Sequence, residues 1–344
     1  MKRILLTLLC LSIVIISKSQ DFSELYKKMS PSVVTVMVKE QHEEVDRHSM
    51  QKKMVSSQGI GSGVLVSAEG DIWTAAHVVQ TAQDVEVRFK SGEVVPAKVI
   101  TTNAATDVAL IRLMWMPKKF KVATVANSDL VEIGEHIFII GAPYGLEYSL
   151  TVGYISGRIN EREGSANFTR SEYFQTDASI NHGNSGGPMF NVKGEVIGLV
   201  SSILSQSGGF DGIGFVVTSN VATAHLTGDQ PFWYGASFIM ISGELRNIFN
   251  VPQEMGLLVQ KVAAGSPASL SGLKPGIFKT SIEGTPIWVG GDIILKVGDF
   301  TIGSDTDFDQ VGEYLSSLKP NDTFKVTVLR AGKTVELIGV VPQK

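Results

Sequence analysis

The sequence contains a single cysteine, Cys10, and this scarcity excludes several kinds of protein. One thiol cannot form a disulfide within the chain or build a zinc site from cysteines. Positive charge is also scarce, since 30 Lys and Arg stand against 34 Asp and Glu, and the formal net charge is −4. No basic field draws the chain to nucleic acid. No metal-ligand cluster or phosphate-binding glycine loop is visible, so we expect no metal, no cofactor and no nucleic-acid partner.

The chain also lacks an apolar run of the about 20 residues that a membrane-spanning helix needs. Two positive charges precede the shorter run Ile4–Ile16, and the small residues Ser17 and Ser19 follow it. This arrangement is typical of a secretory signal peptide, so we predict cleavage before Gln20 and export, most simply to the periplasm. Left uncleaved, the run would anchor the protein in a membrane. Cleavage removes Cys10, and a chain without thiols tolerates an oxidising compartment.

The remaining sequence is that of a folded, β-rich protein. Hydrophobic residues make up 43% and charged residues 19% of 344 residues, which predicts about two domains. Short runs such as Val85–Phe89 and Val108–Leu113 predict strands, and many of them between glycine-rich turns favour a barrel or sandwich. The polar stretch Lys39–Gln58 shows no clear periodicity and is predicted to be a loop. From about Trp233, strands mixed with the helical pattern Thr306–Leu318 indicate a second, smaller domain.

The strongest local signal is the glycine-rich segment Gly183–Pro188, which carries Ser185 between small residues. Glycines permit a tight turn whose N–H groups converge on one concavity, and such a concavity can hold an anion. A nucleophilic serine needs this, because its tetrahedral intermediate carries an oxyanion. An ordinary hairpin turn remains an alternative interpretation of the segment on its own.

Two further residues complete a possible catalytic set. His77 follows a predicted strand, and Asp107 opens an apolar run. A partly buried carboxylate needs a partner, and a histidine held by it takes a defined tautomer. Taken singly, His77 is as well explained by a structural role and Asp107 by a turn. The order His, Asp, Ser is nevertheless one of the known triad orders.

These three blocks resemble the signature segments of the HtrA (Deg) family of chymotrypsin-fold serine proteases. They are Thr74–Val78, Thr106–Leu110 and Thr176–Pro188, and the second unit resembles the PDZ domain of that family. The resemblance implies a mainly β fold, with a chymotrypsin-like double β-barrel protease domain followed by a small α+β PDZ domain. The boundaries expected from it are a signal peptide at 1–19, a protease domain at 20–227, a linker at 228–232 and a PDZ domain at 233–344.

The resemblance also implies roles for individual residues. Ser185 would be the nucleophile, His77 the general base and Asp107 its orienting partner, with the N–H groups of Gly183 and Ser185 as the oxyanion hole. Arg158–Glu172 would be an activation loop, and His182 stands where the family usually has proline, either as a pH-sensitive neighbour of the hole or as a tolerated substitution. A specificity-pocket wall is expected at Leu199, Ser201, Ser202 and Ile203. No acidic residue lies there, so we predict cleavage after small or medium apolar residues.

The second domain is expected to bind chain ends. Its resemblance to PDZ domains makes Trp233, Tyr234, Gly235 and Ala236 the carboxylate-binding loop, with the peptide added as a strand along Ser237–Ser242. The opposite wall would be a helix carrying Phe308, Val311 and Leu315. The stretch Gly276–Gly290, longer than a minimal PDZ turn, is predicted to be a surface hairpin in which Trp288 covers part of the domain.

The function expected from these features is that of an exported serine endopeptidase of protein quality control. Its partners would be unfolded or damaged polypeptides and apolar C-terminal peptides, and the family implies a homotrimer or a larger assembly. Two alternatives stay open: a regulatory protease that makes one cut in envelope stress signalling, and a non-catalytic chaperone that holds peptides.

Overall fold

The computed structural model describes residues 21–46, 49–161, 171–203, 209–228, 232–282, 284–303 and 305–343. The expected signal peptide lies outside these residues. Across the described ranges, no helix is both long enough and apolar enough to cross a membrane.

The first half of the protease domain is a closed antiparallel barrel. Its strands pair in the order β1-β2-β3-β6-β5-β4. Strand β4 shows why the sequence folds this way, because Val85, Val87 and Phe89 alternate with polar residues and point into the buried core. The strands are β1 (Val33–Val45), β2 (Lys52–Leu65), β3 (Asp71–Thr74), β4 (Asp84–Phe89), β5 (Val94–Asn103) and β6 (Val108–Leu113).

A second closed barrel follows, with strands in the order β10-β11-β12-β9-β8-β7. Its interior is filled by buried apolar side chains such as Ile139, Phe174 and Val216. The strands are β7 (His136–Gly141), β8 (Ser149–Glu161), β9 (Ser171–Thr176), β10 (Pro188–Asn191), β11 (Val196–Ile203) and β12 (Gly214–Thr218). The expected double barrel is therefore confirmed.

A shared apolar core joins the two barrels. Trp73 and Leu110 of the first barrel pack in one cluster with Phe138 and Phe190 of the second. Three α-helices lie in this domain, as far as the described residues show: α1 (Phe22–Met29), α2 (Ala76–Val79) and α3 (Ser219–Leu226). Because α2 follows β3 at the barrel junction, whatever it carries lies where the two barrels meet.

The PDZ domain is a sheet in the order β13-β14-β17-β19-β20, with β18 paired to β17. Strand β13 lies at the edge of this sheet, as the expected peptide-binding strand must. The strands are β13 (Ala236–Ile241), β14 (Gly256–Val262), β15 (Phe278–Ile282), β16 (Thr285–Val289), β17 (Ile293–Val297), β18 (Phe300–Thr301), β19 (Thr323–Arg330) and β20 (Lys333–Val340). The helices are α4 (Gly243–Ile248), α5 (Pro267–Leu270) and α6 (Asp305–Ser317).

The loop predicted at Lys39–Gln58 is wrong. Strands β1 and β2 continue through most of it as a long hairpin in which Glu40 pairs with Ser57 and His42 with Val55. The alternation that marks a strand is missing because most of this part of β2 is exposed on both faces.

The predicted hairpin within Gly276–Gly290 is confirmed as β15 and β16, and the Trp288 ring also contacts the other domain. It packs edge-on against His42 of the protease domain, with ring centroids 4.8 Å apart. The N–H of Val45 donates to the carbonyl of Ile277 at 3.0 Å. The two hairpins therefore dock the PDZ domain onto the protease domain.

Two smaller expectations also change. Phe232, assigned to the linker, is buried in the PDZ core. The ends of the expected activation loop are strands, since Arg158 pairs with Phe174 and Glu161 with Ser171. Residues 162–170 lie outside the described part of the chain.

Candidate active site

His77 and Asp107 are in direct contact. Nδ1 of His77 lies 2.9 Å from both carboxylate oxygens of Asp107, and the backbone N–H of His77 donates to Oδ1 at 3.0 Å. With Nδ1 bound to a carboxylate, the neutral ring carries its proton there and leaves Nε2 free to accept one. The His77 side chain is 51% exposed, so this ring is open on one side to solvent or substrate.

The loop before β6 fixes Asp107. Asn103 Oδ1 accepts from the N–H groups of Ala105 and Thr106 at 3.0 and 3.1 Å. Asp107 itself has φ of 57°, a left-handed conformation that Asp tolerates better than most residues. Its carboxylate accepts a further bond from Ser201 Oγ at 2.6 Å. These donors hold the carboxylate oriented toward His77.

Burial of the imidazole and its contact with Asp107 shift the pKa of His77 in opposite directions. Burial by itself lowers the pKa of His77, but the hydrogen bond and the negative charge of Asp107 outweigh it, so the net pKa is raised. An imidazole with this partner accepts a proton more readily than a free one.

Ser185 lies on a tight turn that is hydrogen-bonded to Ser62 of the first barrel. Ser62 N–H donates to the carbonyl of Ser185 at 2.8 Å, and Ser62 Oγ donates to the carbonyl of Gly183 at 2.7 Å. The same Oγ accepts from the N–H of Ala142 at 3.0 Å. Sequence reasoning missed Ser62, although its position between two glycines at the start of an apolar run was a possible signal.

Glycine is required at two positions of this turn. Gly183 has φ of 100°, and a Cβ there would lie 2.1 Å from the carbonyl oxygen of Ala142. A Cβ on Gly186 would lie 2.3 Å from Oγ1 of Thr74. Any side chain at either position would displace the backbone that carries Ser185.

The peptide between His182 and Gly183 is also fixed. The carbonyl of His182 accepts from the N–H of Tyr144 at 2.7 Å, and because a trans peptide points its N–H away from its carbonyl, the Gly183 N–H is directed elsewhere. Among the described residues, neither the Gly183 nor the Ser185 N–H has an acceptor. Two unengaged N–H groups beside a serine are what an oxyanion hole requires.

A cavity of about 310 Å³ brings these groups together. It is lined by His77, His182, Gly183 and Ser185, so the expected base, nucleophile and oxyanion-hole residues share one surface. The arrangement is suited to acyl transfer, in which an activated hydroxyl attacks a carbonyl.

The expected specificity-pocket wall is only partly in place. Leu199 is buried in the core between the barrels rather than at a surface, because strand β11 is covered on both sides there. Ser201 directs its hydroxyl to Asp107, behind the His77 pair. Ser202 is exposed and Ile203 half-buried, so they remain the candidates for contact with substrate.

The expected carboxylate-binding loop of the PDZ domain precedes edge strand β13. The ring N–H of Trp233 donates to the carbonyl of Gln80 at 2.9 Å, and the Gln80 amide donates to the carbonyl of Ala236 at 2.9 Å. Gln80 caps helix α2, so this loop is tied to the element that carries His77. Within the described ranges, the N–H groups of Tyr234 and Gly235 have no acceptor.

Two of the four loop residues also contact other parts of the protein. The hydroxyl of Tyr234 lies 3.2 Å from Oγ of Ser271, and burial raises the pKa of Tyr234. Trp233 faces the protease domain rather than a peptide groove. On the opposite side, the α6 residues Phe308, Val311 and Leu315 are partly buried against the PDZ core.

Comparison with known proteins agrees with this geometry. The trypsin-like peptidase domain family matches residues 61–199, and the PDZ domain family matches residues 212–338. A protein of Marinomonas sp. (strain MWYL1), named probable periplasmic serine endoprotease DegP-like, is 30% identical over 83% of this chain and 67% of its own length. The chain belongs to the HtrA family of serine proteases.

Other HtrA-family proteins extend the match. A DegP-like protein of Pseudomonas putida (strain GB-1) is 29% identical over 94% of this chain and 70% of its own length. The solved structure of the HtrA-type protease AlgW with a decapeptide is 25% identical over 94% of this chain and 99% of its own, with a TM-score of 0.52. This HtrA-family chain is thus a serine endopeptidase with one PDZ domain, and the names of its relatives support an exported location.

Proposed function

We propose that this protein cleaves unfolded polypeptides through a triad of His77, Asp107 and Ser185. The observation that carries the proposal is the 2.9 Å contact of His77 Nδ1 with both Asp107 oxygens, on a cavity that Ser185 also lines. A half-exposed imidazole held in one tautomer, beside a serine whose turn leaves N–H groups unengaged, supports this chemistry.

Each step follows from the atoms available. Nε2 of His77 takes the proton as Ser185 Oγ attacks the scissile carbonyl, and the imidazolium then protonates the leaving amine. The Asp107 carboxylate stabilises the imidazolium and does not take its proton. The N–H groups of Gly183 and Ser185 bind the oxyanion, and losing one such donor typically costs about 3–4 kcal/mol of transition-state stabilisation.

The substrates follow from the surfaces around the site. Ser202 and Ile203 offer no charge, which supports cleavage after small or medium apolar residues. Folded proteins bury apolar chain ends, so a PDZ domain that binds them at β13 would select unfolded or damaged polypeptides. Homotrimer formation, which the family implies, stays a prediction that light scattering of the purified protein tests. Cleavage before Gln20 also stays a prediction, and retention of the N-terminal run as an anchor is its alternative.

The proposed function is tested by comparing the degradation of denatured casein with that of a folded protein and by sequencing the products. We expect wild type to digest casein after Val, Ala or Leu and to spare the folded protein. Ser185→Ala should abolish digestion, whereas Ser91→Ala, which removes an exposed hydroxyl that does not line the cavity, should not. Digestion that survives Ser185→Ala would contradict the triad, and cleavage mainly after Lys or Arg would contradict the pocket.

A further inference from the structure

An ion pair between the two domains borders the active-site cavity. Nζ of Lys261, on PDZ strand β14, donates to Oε2 of Glu40, on protease strand β1, at 2.7 Å. Both residues line the cavity that contains His77 and Ser185. The PDZ domain therefore contributes a charged side chain to the wall of the catalytic cleft.

This cavity lies on the side that receives the leaving fragment of the substrate. It contains His77, which donates a proton to the leaving amine, and none of Leu199–Ile203 lines it. The rest of the wall comes from the β1–β2 hairpin, including Val38, Ser57 and Ile60. A round cavity of this volume is about 8 Å across, which is the length of two to three extended residues at about 3.3 Å each.

Lys261 has unused donors in this cavity, whereas both carboxylate oxygens of Glu40 already accept a hydrogen bond. Thr81 Oγ1 donates to Oε1 of Glu40 at 2.5 Å, and Lys261 occupies Oε2. The ammonium group has three N–H donors, and no described residue besides Glu40 accepts one. The Lys261 side chain is 32% exposed against 18% for Glu40. The charge that the pair presents to a ligand is positive.

We propose that Lys261 makes this protease favour an acidic side chain within the first three residues after the scissile bond. An Asp or Glu there would share the ammonium group with Glu40. The preference is confined to these positions, because two carboxylates, Asp84 and Glu86, outnumber the single ammonium group of Lys39 in the neighbouring groove beyond Ile60. This net negative charge disfavours an acidic side chain. The inference rests on the proposed function, since it needs Ser185 to be the nucleophile.

The test maps cleavage sites by mass spectrometry after digestion of a proteome-derived peptide library at pH 8, where exposed histidines are neutral. We expect wild type to enrich Asp and Glu about 3- to 5-fold at the first three positions of the new N-terminal fragments, the ratio that a solvent-accessible ion pair supplies. The double variant Glu40→Lys/Lys261→Glu keeps the ion pair and reverses the charge that it presents. It should enrich Lys and Arg instead.

Two further variants separate specificity from structure. Lys325→Glu/Glu336→Lys reverses an exposed PDZ ion pair, 3.5 Å long, that does not line the cavity, and it should keep the acidic preference. Lys261→Met should lose the preference without inverting it, which gives a result even if the double variant does not fold.

Each outcome has a distinct meaning. An active wild type with no acidic enrichment, or a charge-reversed enzyme that retains it, overturns the inference and leaves the proposed function intact, because the pair then only joins the domains. A wild type that cleaves no peptide at all overturns the proposed function, and the inference with it.

Discussion

At the scale of single residues, the turn that carries Ser185 depends on a side chain outside the proposed triad. Ser62 contacts the carbonyls of Gly183 and Ser185 and the N–H of Ala142, and it is fully buried. It comes from the first barrel, whereas the turn belongs to the second. The position of the Ser185 turn therefore depends on the contact between barrels, and we expect Ser62 to act as a positioning residue.

Ser62→Ala should impair both folding and turnover. It leaves a buried N–H and a buried carbonyl without their hydroxyl partner, which costs about 1–3 kcal/mol of unfolding free energy. It also removes one of the hydrogen bonds that hold the turn carrying Ser185. Urea unfolding and kcat on a peptide substrate measure the two effects. Ser32→Ala is the matched control, because Ser32 is equally buried and its Oγ donates to Met29. An equal loss of kcat in both variants would contradict a positioning role.

Asp107→Asn should lower kcat by about 10⁴-fold, because the amide no longer holds the required tautomer. It should also move the acid limb of the pH profile. Asp107 raises the pKa of His77 against the lowering effect of burial, so wild-type kcat/KM falls below a pH that lies above the ordinary histidine value of about 6.5. Without the carboxylate only burial remains, and the limb should shift to lower pH. An unchanged limb would mean that it reports another group.

At the scale of elements, two hairpins from different domains support each other. The β1–β2 hairpin extends from its barrel and the β15–β16 hairpin from the PDZ sheet, and they meet through Trp288, His42 and the bond from Val45 to Ile277. Neither hairpin is well buried within its own domain. Contact with the other hairpin therefore stabilises each of them.

Trp288→Ala should loosen this docking. An aromatic edge contact contributes about 0.5–1.5 kcal/mol, so amide hydrogen exchange in both hairpins should become about 3- to 10-fold faster while the barrel interiors remain protected. Trp115→Ala, at a tryptophan that is 53% exposed, should leave the exchange unchanged. Faster exchange throughout the protease domain would instead indicate general destabilisation.

These elements also mark where sequence reasoning succeeded and failed. Val85–Phe89 and Val108–Leu113 were predictable because one barrel interior buries their alternate side chains. The β1–β2 extension was not predictable, because the apolar contact that supports it comes from Trp288, which is distant in the sequence. The His77–Asp107 contact followed from motif order, whereas Ser62 and the second role of Ser201 depend on how separate strands approach each other, which no local pattern encodes.

At the scale of the whole molecule, the PDZ domain and the catalytic helix share contacts. Gln80, at the end of α2, bonds both Trp233 and Ala236, and Lys261 reaches Glu40 at the cleft. The expected carboxylate-binding loop is thus tied by hydrogen bonds to the helix that carries His77.

Binding of a peptide C-terminus tests whether this loop recognises a terminal carboxylate. We expect a labelled peptide with an apolar C-terminal residue to bind the Ser185→Ala protein about 10- to 100-fold tighter than its C-terminal amide, because the N–H groups of Tyr234 and Gly235 would make charge-assisted hydrogen bonds to the carboxylate. Fluorescence anisotropy measures both affinities. Equal affinities would contradict chain-end recognition, whatever the protease activity.

The central claim, that Ser185 is made nucleophilic by His77, is tested most directly by reaction with a fluorophosphonate. Intact-mass spectrometry followed by peptide mapping should find one adduct on Ser185 in wild type. The adduct should be absent from Ser185→Ala and at least about 10³-fold slower to form in His77→Ala. An adduct on another serine, or equally fast labelling without His77, would contradict the account.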